Sequence, residues 1–372
     1  MLENFRKKDH GIDYWLALAI FMLAIFGLIM VFSASSVVSY DHFGNPYGYV
    51  IKQSRSLILG LVIWVAMTLI DYRFWQKNAT LLLVITIGLL VAVFLPGIGI
   101  ERKGANRWIN LGFMTFQPTE FIKLFFLIYI SGWLSKKGKD INKLSTGFIP
   151  FVVILLVVSG LIMKQPDMGT MSVIAVYSTA VFFISGVAWQ YILLIIGAAA
   201  ASLKILIYMA PYRLDRLMAF LNPSEGQGGI SYHINQALLA IGSGGLLGLG
   251  FGQSKQKFLF LPEAHTDSIF AIICEELGFL RAILIILVFV FIAWRGLLIA
   301  RRAPDKFAQL VSTGIVVWFI WQAFVNLSAM VGLLPLTGVP LPFISSGGSS
   351  LVVNFAAAGI LLNISRQTNS SW

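Results

Sequence analysis

The sequence predicts an all-α, polytopic membrane protein with about ten transmembrane helices, and its composition and its repeated apolar runs are the two observations behind this prediction. Of 372 residues, 58% are hydrophobic and 12% are charged, and the mean hydropathy is +0.84. A soluble fold cannot keep most of so much apolar surface away from water. The apolar residues also recur in runs, most of them near the roughly 20 residues that one crossing of the hydrocarbon requires.

Each apolar run is predicted to be one transmembrane helix. The first run is too long, and too far from any small-residue cleavage site, to be a removed signal peptide, so we expect it to remain as the first helix. In chain order the runs cover residues 14–33, 57–70, 79–95, 118–134, 147–163, 169–187, 191–210, 268–294, 307–334 and 351–364.

The longest polar stretch, residues 211–267, lies between the seventh and eighth runs. It is rich in Gly and Leu and lacks the alternating elements that a separate water-soluble core would need. We therefore predict a large extracytoplasmic loop within a single integral membrane domain that covers residues 1–372. Inside this loop, residues 234–240 suit a short helix on the bilayer surface, and the glycines of residues 242–252 would let backbone amides approach an anion.

The distribution of basic residues predicts that both chain termini are cytoplasmic, because Lys and Arg near helix ends are retained on that side. The outer loops nevertheless carry more positive charge than is usual, which predicts an anionic partner at the outer face, although attraction to lipid headgroups would explain part of it. These outer residues are Lys52, Arg55, Arg102, Lys103, Arg107, Lys164, Arg213, Arg216, Lys255 and Lys257.

Charge and cysteine content exclude two classes of function. The net charge of +11 is scattered over both sides of the predicted membrane, with no groove-forming pattern, so nucleic-acid binding is excluded. The single cysteine, Cys274, lies in an apolar run, which excludes an intrachain disulfide and a Cys/His metal cluster.

Three ionisable residues flank the start of the fourth run. Arg107 follows the third run beside Trp108, where a planar guanidinium suits bidentate capture of phosphate oxygens, although Trp–Arg pairs are also common membrane anchors. Glu120 occupies a first helical turn, where negative charge is favourable. Lys123 is three residues further on and would pair with Glu120, or else mark a substrate route, as ionisable residues near lipid often do.

The end of the large loop gathers cations, polar side chains and one acid before an apolar run. Lys255 and Lys257 precede His265, Thr266 and Asp267. A carboxylate at this position either caps the following helix or has a catalytic role. The polar neighbours of Asp267 favour the catalytic role.

Other acids of the chain are predicted to have structural roles. Asp167 is expected to cap the helix that follows it. Glu275 and Glu276 are adjacent inside an apolar run and are costly unless paired with a cation such as Arg281 or Lys123. We predict a structural ion pair for Glu275 and leave Glu276 open. Residues 340–350, which include Ser349, have the composition of irregular backbone packed in protein.

Six motifs are spread along the chain: GANRW (104–108), QPTE (117–120), QPDMGT (165–170), PEAHTD (262–267), EELG (275–278) and PLPFISSGGSS (340–350). Together they resemble the SEDS family (shape, elongation, division and sporulation) over almost the whole chain. The resemblance implies a bacterial inner-membrane glycosyltransferase that polymerises lipid II and works with a class B penicillin-binding transpeptidase and other division proteins. Residues 243–245 and 262–265 favour the cell-division members, with the rod-shape members as the close alternative, and Ser346 departs from the Tyr expected in many members.

By this resemblance, Asp267 matches the essential acid, and Arg107 and Lys123 match positions near the substrate phosphates. The leaving group of lipid II is a diphosphate, so one base with nearby positive charge would suffice. Mg²⁺ or Mn²⁺ would fit with few protein ligands, although no residue spacing requires it. The predicted substrate-binding residues are Arg107, Lys123, Lys255, Lys257, His265 and Thr266, and the supporting residues are Glu120, Glu275, Glu276 and Ser349.

Three other classes of function are weighed against a polymerase. A lipid II flippase would need ionisable residues through both leaflets, whereas the candidates gather near one side, with Lys204 as an exception. An ion-coupled transporter would show paired broken segments in corresponding halves of the chain, which we do not find. A pure scaffold would tolerate Asp267→Asn, because Asn also caps helices.

Overall fold

The protein is a bundle of membrane-spanning helices, as the sequence predicts. The computed structural model describes residues 11–95, 99–102, 105–110, 115–208, 211–222 and 229–368. Its helices are α1 (Tyr14–Phe43), α2 (Gly48–Leu69), α3 (Tyr72–Lys77), α4 (Ala79–Ala92), α5 (Pro118–Ser135), α6 (Ile149–Met163), α7 (Met168–Ile184), α8 (Trp189–Tyr208), α9 (Pro211–Leu221), α10 (Ile230–Gly244), α11 (Ile269–Arg301), α12 (Lys306–Met330) and α13 (Gly348–Arg366).

Ten helices among the described residues coincide with the ten predicted apolar runs. Seven helical segments are long and apolar enough to span a membrane, namely those containing α1, α2, α6, α8, α11, α12 and α13. Two shorter apolar helices, α4 and α7, lie among them. The tenth is α5, whose 18 residues include Glu120 and Lys123.

One end of the bundle, here called the terminal end, is held together by buried polar contacts. Asp13 caps α1 by accepting a hydrogen bond from the amide of Leu16. Its carboxylate also binds the guanidinium of Arg295 near the end of α11, with N–O distances of 2.8 and 2.9 Å. Ser365 near the end of α13 accepts a hydrogen bond from the Asp13 amide. These contacts fix the level of α1, α11 and α13 relative to one another.

The opposite end, the loop end, contains a small antiparallel sheet that the all-α prediction did not include. Its strands are β1 (Gly99–Arg102), β2 (Ala105–Asn110) and β3 (Thr115–Phe116), in the order β1-β2-β3. In β2, Ile109 is buried and pairs with Phe116 of β3, just before α5 begins at Pro118. The sheet thereby presents Arg107 beside the first turn of α5. Lys103, one of the predicted outer cations, lies outside the described residues.

The large loop contains two helices where the sequence predicted one. The helix expected at residues 234–240 is longer, α10, and it buries Ile234, Ala237 and Ala240 where it packs on α11. The second, α9, was not predicted, because its eleven residues include three charged side chains within a polar stretch.

A break in α11 shapes the loop end. Gly278 has φ 81° and ψ 172°, which ends one helical segment and starts the next. The freed carbonyls of Glu275 and Glu276 accept hydrogen bonds from the amides of Leu249 and Gly250, and the amide of Phe279 donates to Gly245. Loop backbone therefore satisfies polar groups that the break would otherwise leave unpaired inside an apolar environment.

Candidate active site at the loop end

Asp267 lies in a turn of residues 262–268 that is fixed from several sides. Ser268, not Asp267, is the N-cap residue of α11. The Ser268 amide donates to the carbonyl of Glu263 at 3.2 Å, and Glu263 itself has a left-handed φ of 52°. Asn326 of α12 donates its side-chain amide to the Asp267 carbonyl at 2.8 Å. Ser268 thus occupies the N-cap position considered for Asp267, although its hydroxyl donates to the Pro262 carbonyl and does not cap the helix.

The Asp267 carboxylate lies against the segment of residues 336–340. A Cβ atom added to Gly338 would lie 3.3 Å from Oδ2 of Asp267, and Gly338 has a φ of +75° that favours glycine. A side chain at residue 338 would crowd the carboxylate, so glycine leaves room beside it.

The start of α7 contacts the same segment from the other side. Asp167 caps α7 by accepting a hydrogen bond of 3.0 Å from the Thr170 amide, so the predicted cap is confirmed. A Cβ on Gly169 would lie 2.3 Å from a methyl carbon of Val339. Arg107 donates from Nε to the carbonyl of Gln165 at 2.8 Å. Arg107 is thereby held at the turn that leads into α7.

Arg216 on α9 reaches this centre as well. Its guanidinium donates to the carbonyl of Leu336 at 3.1 Å. Burial lowers the pKa of Arg216, Arg107 lowers it further, and Asp267 and Asp167 oppose this effect. Arg216 therefore lies close enough to Arg107, Asp167 and Asp267 to feel the charge of each. The sequence analysis placed Arg216 among the outer cations but not in the site, although Arg213 and Arg216 are spaced to share a helix face.

Lys123 and Glu120 lie beneath the site as a buried pair. Their side chains are 2.8 Å apart and are at most 5% exposed, so the pairing alternative considered for Lys123 is what the structure contains. The Lys123 ammonium also donates to Oε1 of Gln322 at 3.0 Å, and Gln322 donates to the carbonyl of Pro340. Because Asn326, one turn further on, donates to Val339 and to Asp267, a polar row on α12 connects Lys123 to the Asp267 turn.

The prediction that Glu275 forms a structural ion pair is wrong, because Glu276 forms that pair instead. The Lys257 ammonium lies 3.1 Å from Oε1 of Glu276, and Ser33 of α1 donates to the same carboxylate. Glu275 accepts hydrogen bonds from the hydroxyl of Ser254 and from the Lys255 amide. The other partners considered are engaged elsewhere: Arg281 donates to the carbonyls of residues 247 and 277, and Lys123 pairs with Glu120.

The remaining predicted residues make mainly structural contacts. His265 is buried with its ring 4.3 Å from that of Tyr49, and Thr266 donates to the Glu263 carboxylate. Ser349 accepts a hydrogen bond from the Gln117 amide before α5. The side chain of Lys255 is exposed. Of the predicted substrate-binding cations, Arg107 is held at the turn into α7, which packs on the segment against which the Asp267 carboxylate lies.

The structure has no obvious protein-built metal site within its described ranges. No group of three or more His, Cys, Asp or Glu side chains that would hold a metal ion occurs in them. A divalent cation, Mg²⁺ or Mn²⁺, would therefore depend largely on the oxygens of a bound diphosphate and on water. Its involvement stays a prediction.

The fold and the site define a class: a multi-pass membrane protein with an acid and several arginines gathered at one end of its helical bundle. The chain belongs to the FtsW/RodA/SpoVE family, described as cell cycle proteins, whose model matches residues 14–370. Family membership confirms the resemblance inferred from the motifs.

Relatives and solved structures agree with this family. The chain is 40% identical to a probable peptidoglycan glycosyltransferase FtsW of Trichlorobacter lovleyi, over 98% of this chain and 96% of that one. It is 39% identical to the stage V sporulation protein E of Bacillus subtilis, over 96% and 98%. The rod shape determining protein RodA of Thermus thermophilus superposes with a TM-score of 0.71 at 25% identity, covering 97% and 98% of the chains. A peptidoglycan synthase complex that coordinates polymerisation and crosslinking contains a chain with a TM-score of 0.80 at 25% identity, covering 95% and 98%.

Proposed function

We propose that this protein is a peptidoglycan glycosyltransferase that polymerises lipid II into glycan strands at the outer face of the bacterial cytoplasmic membrane, in septal wall synthesis during cell division. The single observation that carries the proposal is that the Asp267 carboxylate and the Arg216 guanidinium both lie against residues 336–339, next to the turn that holds Arg107. Relatives named as peptidoglycan glycosyltransferases FtsW support both the activity and the division role.

The chemistry requires one base and stabilisation of one leaving group. The Asp267 carboxylate takes the proton from the acceptor sugar hydroxyl as its oxygen attacks the anomeric carbon of the donor sugar. The bond from that carbon to the diphosphate oxygen breaks, and its electron pair leaves with the diphosphate. Attack from the face opposite the leaving group inverts the anomeric carbon. The proton remains on Asp267 until solvent removes it.

The two arginines serve the diphosphate, because guanidinium groups bind phosphate oxygens in a bidentate geometry. Arg107 and Arg216 already donate to the backbone carbonyls of residues 165 and 336, so each is oriented before substrate binds. Preorganised donors of this kind lower the barrier without reorganising during the reaction. Lys255, exposed on the large loop, is a further cation for the polyprenyl diphosphate.

A class B penicillin-binding transpeptidase and other division proteins are the proposed partners, since a crosslinking activity must act on the strands that a polymerase makes. The structural similarity to a chain of a complex that couples polymerisation to crosslinking supports the transpeptidase. The distribution of basic residues supports a cytoplasmic location for both termini.

The direct test is to reconstitute the purified protein in liposomes with fluorescent lipid II and a class B transpeptidase, and to separate the products by length. Long glycan strands are expected. Transfer of lipid II between leaflets with no polymer would support the flippase alternative and contradict the proposal. Arg301→Gln, an exposed change at the terminal end, is the matched control and should leave polymer formation unchanged.

A further inference from the structure

Residues 245–260, here called the lip, expose seven large apolar side chains while two of their polar side chains, Ser254 and Lys257, are buried. Beneath the lip, Ser254 and Lys257 are buried against Glu275 and Glu276. A loop surrounded by water would show the reverse arrangement, and an exposed apolar patch of this size marks an interaction site. The outward residues, between 43% and 67% exposed, are Leu246, Leu247, Leu249, Phe251, Phe258, Leu259 and Phe260.

The lengths of α1 and α11, both measured from the Asp13–Arg295 pair, place the lip at the boundary of the hydrocarbon layer. Gly278 precedes Arg295 by 17 residues, which corresponds to about 26 Å of helix. Ser33, which binds Glu276, follows Asp13 by 20 residues, or about 30 Å. Asp13 and Arg295 pair at the terminal end, and the hydrocarbon core is about 30 Å thick. The lip therefore lies where the leaflet at the loop end meets its headgroups.

The lip continues the lipid-facing surface of α11. Phe279, Leu280 and Leu284 are exposed on the span directly below the helix break. The amide of Leu280 donates to the carbonyl of Leu246 at 3.3 Å, so the lip lies at the level of these side chains. One apolar surface therefore runs from the span across the break onto the lip.

Cations border the apolar surface at the height expected for lipid phosphates. Arg281 is exposed and donates to the carbonyl of Leu247 at 2.8 Å, which turns its guanidinium toward the lip. Lys255 is exposed within the lip itself. Basic side chains commonly extend from apolar surfaces to the headgroup level in this way.

We infer that the lip inserts into the loop-end leaflet and binds the acyl chains of bilayer lipids, with Arg281 against their phosphates. The turn that holds Asp267 follows the lip directly. Lip insertion therefore fixes the height of Asp267 above the membrane, which matters for any substrate that is itself anchored in lipid.

Fluorescence quenching by lipid tests this inference without relying on any activity. Single cysteines are introduced at Leu247, Phe258 and Phe260 in a Cys274→Ala background, labelled with bimane and reconstituted into liposomes of phosphatidylglycerol and phosphatidylcholine. Some of these lipids carry a nitroxide near the headgroup. Strong quenching is expected at all three sites, at least half that of the lipid-facing control Leu284→Cys.

Asp41→Cys on α1 is the water-facing control, because it lies eight residues, or about 12 Å, beyond Ser33. It should be quenched by aqueous iodide and not by the nitroxide lipid. Lip sites that behave like Asp41→Cys would overturn the inference. A second outcome would also overturn the inference: the lip sites lose iodide quenching only when a transpeptidase or a second copy of this chain is added. The exposed surface of the lip would then be a protein interface. Unchanged thermal unfolding relative to the parent confirms that each labelled variant is folded.

Discussion

The side-chain amide of Asn326 donates a hydrogen bond of 2.8 Å to the backbone carbonyl of Asp267, and a second bond of 2.8 Å to that of Val339. Asn326 therefore joins the turn that contains Asp267 to the segment of residues 336–340, against which the Asp267 carboxylate lies. Neither segment belongs to a regular helix, so their relative position depends on such contacts.

We expect Asn326→Ala to reduce kcat for glycan polymerisation by about 100-fold with little change in KM, because misplacing a reacting group has a cost of this order. Initial rates measured over a range of lipid II concentrations separate the two constants. The control is Ser312→Ala on the same helix, since the Ser312 hydroxyl is buried with no hydrogen-bond partner among the described residues. Equal losses of kcat in both variants would show a general effect of altering α12 and would contradict a specific role for Asn326.

Arg216→Gln should weaken the use of substrate without unfolding the protein. A hydrogen bond to a charged group contributes about 1.5–3 kcal/mol, so kcat/KM is expected to fall by about 10- to 150-fold. Arg213→Gln is the informative comparison. Arg213 donates to the carbonyl of Leu206 and to the Tyr212 hydroxyl, so its loss should lower the thermal unfolding midpoint more than it lowers kcat/KM.

The buried pair of Lys257 and Glu276 should contribute to stability and not to turnover. Lys257→Met leaves the Glu276 charge uncompensated and is expected to destabilise the protein by about 3–5 kcal/mol. Combining it with Glu276→Gln should restore most of that loss, as measured by unfolding in detergent. If the double variant folds but makes no polymer, Lys257 binds substrate as the sequence analysis predicted.

Gly278→Ala should destabilise the protein strongly. The φ of 81° with ψ of 172° is accessible almost only to glycine, and a Cβ there would lie 2.3 Å from the Gly248 amide nitrogen. Gly160→Ala is the matched control, because Gly160 lies inside α6 with nothing within 4 Å of its added Cβ. That change should raise helix stability by about 1 kcal/mol. A higher unfolding midpoint for Gly160→Ala and a lower one for Gly278→Ala are expected.

Features encoded locally could be predicted from the sequence. The ten crossings follow from the length and hydropathy of each run. The Asp167 cap and the pairing of Glu120 with Lys123 depend on residues three apart on one helix, so no knowledge of the rest of the fold was needed.

Features that depend on distant segments could not be predicted. The loop folds back at the Gly278 break, and this folding determines which of the two adjacent acids, Glu275 or Glu276, forms an ion pair. The contribution of Arg216 depends on α9 folding toward the segment of residues 336–340, 120 residues away in the sequence. The small sheet joins short strands whose alternation is too brief to distinguish them from a loop.

The most direct test of the account is polymerisation by Asp267→Asn, assayed with lipid II and a transpeptidase and compared with thermal unfolding of the same preparation. We predict that glycan strands disappear while the unfolding midpoint changes by less than about 4 °C, because the Asp267 side chain is partly exposed and asparagine has nearly the same size and shape. Strands of normal length and rate from Asp267→Asn would contradict the assignment of Asp267 as the base.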